Sequence, residues 1–193
     1  MSIEQLKAEL DVETRWLHFP LHPKTPPEGI PMKELYRDRD PESTKAAGDH
    51  LKNGMTEAGL PYNRRTRLDN SRIAQELGAW ADTQAGGAAF HDAIFKAYFV
   101  DDRSISDKDT LVEIAESIGL DGQEARTVLD ERSFSENVTR DWDRAWSDGV
   151  TGVPTFSSRD LFVFGCQPYE VLLRFYSHLV KLQAQDAMSN NAS

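Results

Sequence analysis

The stretch Gly149-Val150-Thr151-Gly152-Val153-Pro154-Thr155-Phe156 decides how the rest of this chain is read. It is a turn that feeds a strand, with a proline at the strand's first position. Proline is tolerated there because its missing N–H is not needed by the ladder. An X-Pro bond in a tight turn is also the setting in which cis peptides occur. Downstream, Thr155 to Ser158, a turn at Arg159-Asp160 and Leu161 to Phe164 predict a hairpin, and a helix opens from Pro168. Together these make a compact ββα unit.

Upstream, from about residue 32 to 148, the pattern is helical. Met32 to Arg37 suits a short helical turn, and Pro41 suits the first position of a helix over 41–58 that closes near Gly59. Asn70 or Ser71 caps a helix through Ile73, Ala74, Leu77 and Trp80, which Gly86-Gly87 breaks. Phe90, Ile94, Ala97 and Tyr98, with Phe95 and Phe99 beside them, make the next helix too apolar for a free surface. It is therefore predicted to be the centre of a helical core. Ser106 followed by Asp109 resembles a capping box for a helix holding Leu111, Ile114, Ala115 and Ile118. Residues 121–131 and 134–147 complete the helical run, the latter with Val138, Trp142, Ala145 and Trp146 on one face.

At the other end, Ile3, Leu6 and Leu10 predict a short helix over 2–10. Val12 to Phe19 is apolar on both faces and predicts a buried strand. Pro20, Pro23, Pro26, Pro27 and Pro31 then enforce an extended connection. After the hairpin, Val171, Leu172, Phe175, Tyr176, Leu179 and Val180 form a stripe suited to covering a sheet face.

The totals exclude several function classes. A chain of 193 residues holds one compact domain, or a small domain with an insertion. Its net charge of −10 argues against a nucleic-acid partner, whose binding rests on Lys and Arg neutralising phosphates. No run approaches the roughly 18 apolar residues of a membrane span. The start, Met1 to Lys7, lacks the basic-then-apolar order of a secretory signal, so no membrane partner and a cytoplasmic location are expected. The basic cluster Arg64-Arg65-Thr66-Arg67 reads either as a solvated turn paired with nearby acids or as an anion-contacting loop. The single cysteine, Cys166, excludes a disulfide within these residues and any Cys-rich zinc site.

This order of a strand, a long helical excursion, a proline-led strand, a second strand and a closing helix resembles the DsbA-like thioredoxin family. The likeness is greatest to its FrnE-type and 2-hydroxychromene-2-carboxylate-isomerase-like branches. Trp16 to Pro23, Pro26-Pro27-Glu28-Gly29, Asn70-Ser71 and Phe90 to Phe99 carry it, and above all Gly149 to Phe156 with Gly165-Cys166-Gln167-Pro168. The resemblance implies an α/β thioredoxin-like fold with a large all-helical insertion, its first strand missing from this sequence. Thioredoxin-like segments are expected over 1–38 and 149–187, an insertion over 39–148 and a disordered tail over 188–193.

Family proteins begin with one more strand and a Cys-Pro-Trp-Cys-like motif, whose thiolate is stabilised at a helix N-terminus. Here Met1 falls within the corresponding helix, and the 193 residues hold no CxxC. Without the strand, backbone groups on its neighbours lose their partners. The expectation is self-association as a homodimer through an exposed sheet edge, or modest stability. The alternative is that the sequence begins inside a longer, ordinary enzyme.

By resemblance the function is thiol–disulfide oxidoreduction, inactive as a dithiol cycle in this form. Val153, Pro154 and Thr155 are implied to present backbone groups to a thiol or disulfide small molecule or peptide, with Pro154 in the cis state. Cys166 is either a mono-thiol forming mixed disulfides or a buried, inert small hydrophobe. Gln167 is implied as a contact for the γ-glutamyl end of glutathione. No cofactor is required, and glutathione is the one the resemblance admits. Two further functions stay open: a glutathione-dependent isomerase or transferase, and a non-catalytic relative that binds a thiol or peptide. His18 and His22 lack a third ligand, so no metal site is expected. His91, His178, Asp101-Asp102 and the Asp141/Asp143 pair read as satisfied or solvated side chains.

Overall fold

A computed structural model describes residues 2–190 of the chain. The described residues divide into two compact units: those up to Leu21 together with those from Arg144 onward, and His22–Asp143.

The first unit contains α1 (Ser2–Glu9) and the hairpin of β3 (Thr155–Ser158) with β4 (Leu161–Phe164), followed by α9 (Tyr169–Asn190). The hairpin is antiparallel, with Thr155 opposite Phe164 and Ser158 opposite Leu161. α1 packs against α9, and each contributes a buried leucine, Leu6 and Leu172. The Tyr169 hydroxyl donates to the Glu9 carboxylate, which ties these two helices at their polar margin. α9 continues through residues 188–190, so that part of the expected tail is helical; residues 191–193 lie outside the described residues.

The strand expected over 12–19 does not form; that segment carries no regular structure. Its composition suits a buried strand, but a strand exists only through its ladder. Among the described residues no segment supplies one to it.

The helical unit opens with β1 (Ile30–Pro31), α2 (Met32–Leu35) and α3 (Pro41–Glu57). β1 pairs antiparallel with β2 (Arg67–Leu68), and the proline-rich connection from His22 onward belongs to this unit. Then follow α4 (Arg72–Ala81), α5 (Ala89–Phe99), α6 (Lys108–Ser117), α7 (Gly122–Glu131) and α8 (Ser135–Ser147), the last running across the boundary of the units. The core of the unit lies among α4, α5, α6 and α7. Leu77, Trp80, Phe90, Leu111 and Leu129 are essentially sealed from solvent there. Each such side chain contributes about 1.5–3 kcal/mol by leaving water.

Caps set the helix starts. Asp40 accepts from the Ser43 amide at 2.7 Å, and Asp121 accepts from Gln123 and Glu124. The cap of α6 is Asp107, not the expected Ser106: its carboxylate accepts from both the amide and the hydroxyl of Thr110. A carboxylate receiving two donors outcompetes a hydroxyl one residue earlier. At α4 the Asn70 side chain accepts from the Arg72 amide, while Ser71 occupies the cap position without a capping bond and its hydroxyl oxygen accepts from the Gln75 side-chain amide at 3.3 Å.

A buried charge network braces α4. Glu76 is sealed from solvent and accepts from Arg72 Nε at 2.6 Å and from Arg132 Nε and Nη2 at 2.5 and 2.7 Å. The Arg72 guanidinium also donates to the Ser135 carbonyl and the Thr139 hydroxyl, and lies 4.5 Å over the Trp142 ring. The Trp142 indole N–H in turn donates to Gln75. A buried carboxylate is tolerated only when paired and hydrogen-bonded, and here both conditions are met.

Candidate functional site

The chain enters the site from the end of α8. The Val150 amide donates to the Ala145 carbonyl and the Gly149 amide to Trp146, the paired bonds of a Schellman motif. Gly149, at φ 70°, turns the chain out of the helix toward Pro154. The Thr155 hydroxyl donates back to the Gly152 carbonyl at 2.7 Å and pins the loop between them.

The Val153–Pro154 peptide bond is cis. Val153 and Pro154 are exposed, and Val153 keeps 53% of its surface although it is apolar. The Gly165 amide donates to the Pro154 carbonyl at 2.8 Å, which carries the hairpin register one residue past the strands. The antiparallel alternation then makes Pro154/Gly165 and Phe156/Val163 the hydrogen-bonded pairs. The backbone N–H and C=O of Thr155 and Ser157 therefore point away from β4, to the outer edge of β3. No strand among the described residues pairs with that edge.

Cys166 follows Gly165 directly and is exposed, not a buried small hydrophobe. The Gln167 side-chain amide donates to the Phe164 carbonyl at 2.7 Å, so this residue closes the strand end on itself. Val153, Pro154, Thr155, Cys166 and Gln167 thus come together at one end of one hairpin. Gly165 carries the resemblance in sequence but was not expected as a site residue. Its signal was present in Gly165-Cys166-Gln167-Pro168, where a glycine at φ 81° ends a strand.

The other candidates lie elsewhere. His91 Nε2 sits 2.8 Å from Asp82 in a local pair. The arginines of residues 64–67 diverge. Arg65 lies over the rings of Tyr98 and Phe99 at 4.8 and 5.3 Å, and Arg67 Nε is 3.5 Å from the buried Asp69. Burial pushes the Tyr98 hydroxyl up from its ordinary value of 10.0, so this ring stays neutral. Among the described residues no three His, Cys, Asp or Glu side chains are grouped to hold a metal ion. No helix is long and apolar enough to cross a membrane.

An uncharacterized Bacillus subtilis protein, YwbO, is 26% identical over 171 residues, covering 87% of this chain and 82% of that protein. The crystal structure of a probable DsbA oxidoreductase from Streptomyces coelicolor matches with a TM-score of 0.75 at 29% identity, covering 82% of this chain and 71% of that one. A 2-hydroxychromene-2-carboxylate isomerase structure shares the fold at a TM-score of 0.67 and 19% identity, over 96% of this chain and 88% of that one. The DSBA-like thioredoxin domain model matches residues 1–177, and the chain belongs to that family.

Proposed function

We propose that the Pro154 end of the hairpin receives a thiol or disulfide ligand and that the chemistry is thiol–disulfide exchange at Cys166. The observation that carries this reading is the 2.8 Å bond from Gly165 to Pro154, which sets the exposed Cys166 beside the proline loop. In the exchange the Cys166 thiolate attacks one sulfur of a disulfide. A new S–S bond forms to that sulfur, and the other sulfur leaves as a thiolate. The outward N–H and C=O of Thr155 suit an extended ligand, which could add along the β3 edge as a strand. With one cysteine among the 193 residues, the product is a mixed disulfide rather than an internal one. The likeness to a probable DsbA oxidoreductase supports the reaction class. Glutathione is the ligand we favour, in a cytoplasmic setting. A second copy of the chain is the other occupant that the β3 edge admits.

The test uses oxidised glutathione and intact mass. One adduct is expected at Cys166, absent in Cys166→Ser. Thr155→Pro, which removes the outward N–H, should slow adduct formation while leaving alkylation by iodoacetamide unchanged. If adduct formation ignores the Thr155 change, Cys166 is merely an exposed thiol and the reading fails. Conversion of an electrophile with reduced glutathione would replace it with a transferase.

A further inference from the structure

The helical unit carries a groove of about 370 Å³ whose lining includes Arg37, Arg39, Lys45 and Arg64, together with Tyr36. No carboxylate lines it, although the chain as a whole carries −10. Four cations around one concavity repel one another, and an arrangement of that kind favours an anion. The nearby acids offset them weakly. Lys45 reaches Asp49 at 2.7 Å and Arg37 reaches Glu34 at 3.9 Å, both as exposed pairs. Exposed pairs of this type contribute at most about 1 kcal/mol and yield readily to a better acceptor.

The two remaining arginines close no ion pair within 4 Å among the described residues, although Lys45, helped by the Arg64 charge, holds the nearby Asp49 carboxyl down. Arg39 lies 5.3 Å over the Tyr36 ring. Arg64 is braced against α3: a Cβ added at Gly48 would come within 2.7 Å of its Nη2. Gly48 therefore leaves the space that the Arg64 guanidinium occupies. Both guanidiniums are exposed, and a guanidinium with no ion-pair partner within 4 Å is available for bidentate contact with phosphate oxygens.

We propose that this groove binds the diphosphate group of a small molecule, with Arg39 and Arg64 as its principal contacts. It is a site separate from the proline loop and independent of the thiol chemistry. The Asp40 side chain already caps α3 through Ser43, so the affinity comes from the four side-chain cations rather than from the helix end.

Calorimetric titration of the full chain with pyrophosphate at low salt tests this. Saturable one-to-one binding is expected, weakened about tenfold or more by Arg39→Ala and by Arg64→Ala. Arg140→Ala, at an exposed arginine on α8, should leave it unchanged. Gly48→Ala is the discriminating variant. It should keep or raise the thermal midpoint, because alanine favours a helix interior, yet weaken binding by displacing Arg64. Tighter binding of ADP than of pyrophosphate would assign a nucleotide, and the reverse order an inorganic ligand. No saturable binding of either, or binding that survives both arginine substitutions, overturns the proposal.

Discussion

The amide of Gly165 donates to the carbonyl of Pro154 at 2.8 Å, and Pro154 has no N–H to return. The ladder therefore ends at this pair, and the end of β4 is held to the proline loop by one bond. Gly165→Ala tests its weight. An added Cβ meets nothing nearer than Gln167 Nε2 at 3.7 Å, so the cost is conformational, from φ 81°. Denaturant unfolding should show a loss of about 1–2 kcal/mol, and Gly165→Asn should lose less.

Glu76 sets how the fold responds to acid. Burial pushes its carboxyl up, but hydrogen bonds from Arg132 and Arg72, with their charges, hold it below the ordinary 4.5. A carboxyl depressed in the folded state binds protons more weakly there than in the unfolded chain. Its contribution is therefore complete above about pH 4.5 and is lost as pH falls through the lower folded value. Asp107, lowered mainly by the Thr110 amide and hydroxyl, acts in the same direction. Glu76→Gln leaves Arg72 and Arg132 without their counter-charge and should cost about 3 kcal/mol at neutral pH. Its stability should also fall less steeply than wild type between pH 5 and 3, as urea midpoints would show.

Gly86 and Gly87 separate two kinds of glycine requirement. A Cβ on Gly87 would lie 1.6 Å from the Ala81 carbonyl oxygen, so backbone would have to move. One on Gly86 meets nothing within 4 Å, although φ is 80°. Gly87→Ala should cost about 3 kcal/mol or more and Gly86→Ala about 1–2, measured by thermal unfolding.

The unpaired edge of β3 predicts self-association. Light scattering should show a concentration-dependent shift from monomer to dimer. Ser157→Pro should abolish it: the Ser157 N–H points outward, so the proline removes no bond within the hairpin. A wild-type chain that stays monomeric across that range would contradict the proposal.

Much of this architecture was legible in local pattern. The hairpin over Thr155–Ser158 and Leu161–Phe164 is bounded by turn residues and a proline. The helices of the helical unit follow apolar stripes that end at caps and glycines. The chain from Val12 to Phe19 was misread because its pattern reports what a strand would bury, not whether a partner strand is present. Ile30–Pro31 and Arg67–Leu68 escaped because two-residue strands carry no period. At the site, Pro154 and Cys166 were legible from motif and antiparallel geometry. The exposure of Cys166 was not, since a small residue at a strand end suits either environment. The groove at Arg39 and Arg64 was half visible, as a basic cluster. Only folding shows that Arg65 and Arg67 turn elsewhere and that Gly48 makes room for Arg64.

The most direct test of the proline-loop account is backbone amide NMR during titration with S-methylglutathione, which cannot exchange with Cys166. Saturable shifts confined to Val153, Thr155, Cys166 and Gln167, reduced in Gly165→Ala, are the predicted result. Absence of saturable shifts at these four residues would contradict a ligand site at Pro154.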